Sequence, residues 1–479
     1  MSERKHSWTV AIIVQQDGQH NFEYTDLEFA ILSKPNYKNI RFKIFYYEES
    51  SKVASIKEIF YDARLNAPVM STIKIYENIN IYKKTTLVSF FKEHVLVHDG
   101  ANDNKIEHYM VILWGHGGGL GYFAINPESN REDFLGMHEN QHELIIARRE
   151  IEEYFKFYAF LRSNFSIPEH SKKNTKKILK SSKRIKVDVK RLQEKLKLLP
   201  AKDLNDILIE AFNGKSIDVL FTNTCYTQLF ETGYVLRNNV KLLISPQTSI
   251  PFAGINYVSL FDLIESNPKT ELMKICESIK DNFWMKYDNP CFKEVYERLR
   301  PDYKKILSEA SFSGMFLEQY ERFLNDVIKP CSEKFYEYVK NDESKKQMII
   351  AARKNCIELT PETSRDYGLI DLLLFINEFN KLAINEDKEF WQLMSDRINT
   401  LKRNSVWLQA ADKNLYVPDR EGKMKSPNFL SIFFPFGIHS EFHKPLMKLY
   451  YSNKFNSEFR KNTKWDDFIK ILYDTEGFF

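Results

Sequence analysis

The chain of 479 residues has no apolar run approaching the roughly 18 residues that a membrane-spanning helix needs, so no span is expected. Cysteine is scarce: Cys225, Cys276, Cys291, Cys331 and Cys356, an odd number with no C-x-x-C pair. That spacing argues against a disulfide framework and against a zinc cage, and it fits a reducing compartment. The first residues, MSERKHSWTVAIIV, pass from polar residues straight into a strand-like run, with no separate apolar region and cleavage site of a signal peptide. A cytoplasmic location is therefore expected. No internal repeat is seen.

What the chain does have is enough apolar material for a large core, 43% of residues, with 37 Phe and 25 Tyr. Its length allows one to three domains. The net charge of +4 conceals a local excess, because residues 171–197 hold 12 Lys or Arg against 2 Asp or Glu. The rest of the chain is net acidic, so basicity belongs to one segment and not to a nucleic-acid-binding face. That segment reads as a solvated loop, as a basic arm whose binding would be salt-sensitive and sequence-blind, or as an exposed site for proteolytic nicking.

Strands and helices alternate through the first half. Trp8–Val14, Ile40–Tyr47 and Met110–Trp114 read as strands, and residues 72–82 as a strand or hairpin. Helical spacing marks 24–33, Thr85–His94 and 201–213. Ile217–Phe221 and Lys241–Ser245 are further strands, with a helix expected at 226–237 between them. Residues 124–145 read as a loop and 150–163 as a short aromatic helix. From 256 to about 400 the reading is mainly helical, with late strands at 405–409 and 430–434 and a closing helix at 464–473. The pattern predicts an α/β fold with a mostly parallel central sheet between helical layers, and a largely helical C-terminal extension. The core is expected over 1–265, with a Lys-rich insertion at 165–200, and the C-terminal region over 266–479.

Two strand ends carry chemistry. Met110-Val111-Ile112-Leu113-Trp114 stops at Gly115-His116-Gly117-Gly118-Gly119, and Ile217-Asp218-Val219-Leu220-Phe221 runs into Thr222-Asn223-Thr224-Cys225. The carboxyl ends of parallel strands are where open α/β sheets place their sites. Taken singly, a buried Cys or a hydrogen-bonded His at a strand end is unremarked structure. Together they form a workable nucleophile and base, since a nearby imidazole can lower the thiol pKa or accept its proton. The glycines after the His let the backbone approach a substrate, where an N–H could face a developing oxyanion. The rival reading of Gly119-Leu120-Gly121-Tyr122-Phe123-Ala124 as a dinucleotide fingerprint fails, because Ile125-Asn126-Pro127 is no helix start.

These residues resemble the clostripain family of cysteine peptidases, within the caspase-like clan. LWGHGGG at 113–119 is similar to the family's L-W-x-H-G-x-G, and DVLFTNTCYTQLFETGYVL at 218–236 to its nucleophile segment, Glu231 included. YGLIDLLLFI at 367–376, LSIFFP at 430–435 and YYSNKFNSEFRKNTKWDDFIKIL at 450–472 resemble three later elements, so the likeness spans nearly the whole chain. The resemblance implies a caspase-like α/β/α sandwich and hydrolysis of peptide bonds without a cofactor. Cys225 would be the nucleophile, His116 the general acid and base, and the N–H groups of Gly117 and Cys225 the oxyanion hole. Asn223 and Thr224 would line the substrate pocket. Some family members use calcium, but no EF-hand or other dedicated calcium loop is present here.

The resemblance also implies a nick between the His and the Cys, placing an activation loop at 171–197, and cleavage after Arg or Lys. Here the chain departs from the family's D-A-C, since Asn223 stands where the specificity-setting Asp is usual. Between Val219 and Phe261 the only carboxylate is Glu231, so a salt bridge to a buried basic side chain would need an acid from elsewhere. The partners expected are a protein or peptide substrate and an activating protein, with no membrane, and nucleic acid only through the 171–197 segment. The alternative function is a catalytically silent binding or scaffold protein on a peptidase fold.

Overall fold

The computed structural model describes residues 7–16, 27–96, 108–125 and 197–473, apart from shorter stretches inside these spans, the longest being 298–306, 360–367, 410–416 and 436–449. The loop expected at 124–145 starts inside a strand, since Ala124 and Ile125 are extended and paired; its remainder, the aromatic helix at 150–163 and nearly all of the Lys-rich segment lie outside the described residues.

Continuous apolar runs make the inner strands. In β1 (Trp8–Gln16) and β8 (Ile217–Asn223) every residue is buried, as expected for strands covered on both faces. The other strands are β2 (Ile40–Glu48), β3 (Val53–Asp62), β4 (Ala67–Tyr76), β5 (His108–Trp114), β6 (Gly121–Ile125), β7 (Lys197–Pro200), β9 (Val240–Pro246), β10 (Ser311–Phe316), β11 (Leu369–Asp371), β12 (Val406–Gln409), β13 (Val417–Pro418), β14 (Met424–Lys425) and β15 (Ser431–Phe433). Nine of them form one sheet in the order β12-β10-β9-β8-β5-β1-β2-β3-β4. The five central strands, β2-β1-β5-β8-β9, are parallel. Two antiparallel strands close each edge, so the sheet is parallel at its centre only. Two of the nine strands, β10 and β12, come from beyond residue 265.

Two strands of the large sheet lie where none is expected, and so do β6, β7, β11, β13 and β14 outside it. β3 is rich in polar residues, and it pairs between β2 and the edge strand β4. β10 falls in the stretch read as helical. Its sequence, SFSGMF, contains Gly314, which disfavours a helix interior. A Cβ at Gly314 would stand 2.1 Å from Cys276 Sγ, so the glycine is what allows that side chain to pack against the strand.

The period of two sends alternate residues to two cores. Val111, Leu113, Leu220 and Leu243 face one, beneath α1 (Lys84–Phe90), α2 (Ala201–Phe212) and α3 (Phe230–Leu236). Met110, Ile112, Val219, Phe221 and Ile244 face the other, beneath α4 (Tyr257–Ser266) and α5 (Leu272–Tyr287). The first core continues into the C-terminal region. There α6 (Lys329–Asn341), α7 (Leu372–Leu382), α8 (Asn385–Arg403) and α9 (Trp465–Leu472) gather Phe335, Phe375, Trp391, Phe434, Trp465 and Phe468. Phe335 stacks on Trp391 at 4.6 Å between ring centres, and Trp465 Nε1 donates to Phe433 O at 2.8 Å. Each such buried ring contributes about 1.5–3 kcal/mol. Among the described residues no helix is long and apolar enough to cross a membrane.

Candidate active site

β5 and β8 are neighbours in register, Met110 opposite Val219 and Trp114 opposite Asn223. Gly115 N–H continues the ladder by donating to Asn223 O at 3.2 Å. His116 and Cys225 therefore stand at equal height, each two residues beyond the last paired rung. The backbones then converge. A Cβ on Gly117 would lie 1.8 Å from Cys225 O and 2.8 Å from Cys225 N, so no other residue fits against the cysteine's peptide. The sequence-proposed His116, Gly117 and Cys225 are thus brought to one edge, on adjacent strands.

Cys225 is partly exposed, whereas Cys276, Cys331 and Cys356 are buried, and all four are free. Burial pushes the Cys225 thiol up, and the backbone N–H of Ile250 acts against that shift. This N–H donates to Sγ at 3.4 Å, and Sγ lies 3.6 Å from Ile250 O. The residue after Cys225, Tyr226, has φ +61, a left-handed conformation that costs a non-glycine residue about 1–3 kcal/mol. Its surroundings hold it there. Tyr226 N–H donates to Thr248 O at 3.2 Å, and its hydroxyl bonds that of Ser249. Beneath the turn, Thr222 reaches the hydroxyls of Thr227 (2.8 Å) and Ser245 (2.7 Å), and Thr224 that of Thr227 (3.2 Å).

Asn223 and Thr224, proposed for the substrate pocket, are both buried. The Thr224 hydroxyl serves the bracing network. The Asn223 amide packs on Gly254, where a Cβ would come within 2.7 Å of Oδ1 and 2.8 Å of Nδ2. Gly254 has φ +64. Among the described residues no group of three His, Cys, Asp or Glu is placed to hold a metal ion.

A sequence model of the clostripain family, Peptidase_C11, matches residues 167–471. The chain belongs to the clostripain family. With the family comes the enzyme class, a cysteine protease and hence a hydrolase. Solved structures share its caspase-like fold. A secreted C11 cysteine protease from Bacteroides thetaiotaomicron, in complex with an irreversible peptide inhibitor, is 14% identical with a TM-score of 0.54, over 96% of this chain and all of that one. An inactive zymogen C11 protease from Parabacteroides distasonis is 15% identical with a TM-score of 0.52, over 99% of this chain and all of that one. No curated protein sequence matches the chain.

Two parts of this clostripain-family site were not legible as such. The segment after β9 carries no motif in the sequence, yet it touches Sγ at Ile250 and the Asn223 amide at Gly254. Its turn residues Pro251 and Gly254 were the available signal. Lys286, on α5, had none: it holds the same segment from 31 and 33 residues away, donating to Ala253 O at 2.7 Å and Ile255 O at 3.0 Å. Glu231 lies on the helix that follows Cys225, as expected, and it is fully buried. Its Oε1 accepts from Phe433 N–H at 3.1 Å and from the Tyr450 hydroxyl at 3.3 Å. Burial raises its carboxyl to about 8, against which those hydrogen bonds act only in part.

Proposed function

We propose that the chain is an endopeptidase acting through a Cys225–His116 dyad. The observation that carries this reading is the register of β5 and β8, which brings His116 and Cys225 to the same edge from adjacent strands, with Gly117 against the cysteine's peptide. Cys225 thiolate attacks the scissile carbonyl. The oxyanion is held by the N–H groups of Gly117 and Cys225, and His116 gives a proton to the leaving amine. His116 then takes a proton from the water that hydrolyses the thioester, and the sulfur is released. A peptide substrate is supported by the peptide inhibitor bound to the Bacteroides relative.

The same proposal includes latency. Burial disfavours the thiolate of the resting chain, and the segment 248–255 stands against the sulfur. A nick in the 171–197 segment, or an activating protein, would be what opens the site. A cytoplasmic setting, proposed on the free cysteines, is checked by cell fractionation.

The test is a mixed peptide library digested by the wild type and by Cys225→Ala, read by mass spectrometry. Cuts made by the wild type alone are expected. If a preparation nicked within 171–197 also cuts nothing, the peptidase reading is wrong and the fold serves binding. The intact mass of the incubated protein tells whether it nicks itself.

A further inference from the structure

His116 stands between Gly115 and Gly117, and one side chain of the neighbouring strand braces the turn on both flanks. In β1, Val14 lies opposite Trp114, so Gln15 comes beside Gly115. Gln15 is buried. A Cβ on Gly115 would stand 3.0 Å from Gln15 Cβ and 3.1 Å from its Oε1, so the glutamine walls the approach to the histidine. On the other flank, Gly117 bridges Tyr122, and Gly118 N–H donates to Gly121 O at 3.1 Å, which folds the turn back on itself. The returning strand β6 reaches Phe123, whose φ of +57 is one that a non-glycine residue holds only under restraint. The restraint is on its carbonyl. Gln15 Nε2 donates to Phe123 O at 3.1 Å and to the Tyr82 hydroxyl at 2.9 Å. That hydroxyl in turn reaches Phe123 O at 3.0 Å and Glu49 Oε2 at 3.2 Å. Burial and the Glu49 carboxylate raise the Tyr82 phenol, so it remains a donor. The amide nitrogen of Gln15 is thus committed to this network, while its Oε1 is buried with no hydrogen-bond partner among the described residues. Packing alone would not call for such an orphan, since buried polar atoms are as a rule paired.

Resting on the peptidase reading above, we propose that Gln15, assisted by Tyr82, is a positioning residue of the reaction: it holds the turn that presents His116 to the leaving amine. Its part is indirect. It sets where His116 can deliver a proton, and a misplacement of about 1 Å can cost on the order of 10²-fold in rate.

The experiment compares two leaving groups on one acyl peptide. One substrate is the peptide cut best in the library digest. The other is the 4-nitrophenyl ester of its sequence up to the cut, whose nitrophenolate leaves without a proton. Acylation of Cys225 is followed in single turnover on the full chain, nicked within 171–197 if the intact form is silent. Formation of the thiolate is common to both substrates and cancels in their ratio. Gln15→Met keeps the length of the side chain and removes its donors. It is expected to lower the amide-to-ester ratio of rates about tenfold or more, and in steady state to lower kcat for the amide with KM little changed. Tyr82→Phe, which leaves Gln15 on Phe123 O, is expected to lower the ratio in the same direction by less. An unchanged ratio in a Gln15→Met protein with a wild-type melting curve overturns the inference, whether both rates hold or both fall together. If Gln15→Met does not fold, an unchanged ratio in Tyr82→Phe overturns it. A wild type that is acylated by neither substrate, while iodoacetamide still alkylates Cys225, is a different failure: the peptidase reading falls, and this inference falls with it.

Discussion

Any side chain on Gly117 would overlap the peptide of Cys225, whose carbonyl oxygen would lie 1.8 Å from a Cβ there. Gly117→Ala is therefore expected to push the two catalytic turns apart. A misplaced oxyanion donor costs on the order of 10²–10³ in kcat, measured as turnover of a library-derived peptide while far-UV circular dichroism stays unchanged. The thiol gives a second test. Because burial disfavours its thiolate, alkylation of Cys225 by iodoacetamide should keep rising past about pH 8.5, where an ordinary cysteine reaches half its limit. A plateau already reached at neutral pH would mean that His116 holds an ion pair with the sulfur in the resting chain. At this scale the sequence was legible where a local pattern fixes a residue's place in the fold. His116 and Cys225 each end an apolar run at turn-forming residues. Lys286 was not legible, because its partners lie more than 30 residues away on another element and no periodicity marks it.

Between elements, Glu231 joins α3 to β15. In the folded chain its carboxyl titrates near 8, raised by burial, whereas the unfolded chain releases that proton near the ordinary glutamate value. The stabilising neutral form is fully present below the unfolded value. Its contribution is lost as pH rises through about 8, where folding must keep a charge buried. Glu231→Gln keeps an acceptor for Phe433 N–H and Tyr450 without the charge. Its stability should match the wild type at pH 4.5 and exceed it at pH 8.5 by about 1–3 kcal/mol, read from denaturant midpoints at the two pH values. The element reading itself succeeded where the period was clean, as in β5, β8, β12 and the closing helix. It failed at β10, where a glycine in a six-residue strand sits among long helices. It also failed at β3, whose polar residues hide the alternation.

For the molecule as a whole, the sheet does not end with the strands that carry the proposed dyad. β9 pairs on its far side with β10, and β10 with β12. A chain cut to residues 1–265 would leave β9 an apolar edge and Glu231 without Phe433 and Tyr450. Such a fragment is expected to be insoluble or to elute as aggregates in size-exclusion chromatography, where the full chain is not. The parallel centre has the opposite consequence. β5 and β8 are joined directly by a ladder of hydrogen bonds, which sets their register. Residues 1–125 and 197–479, made as separate polypeptides, should find each other by that ladder and by the two cores on its faces, so that a tag on one half carries the other through purification. The enzyme is in this respect two complementary pieces, and the histidine and the cysteine can be delivered to the same edge by different chains.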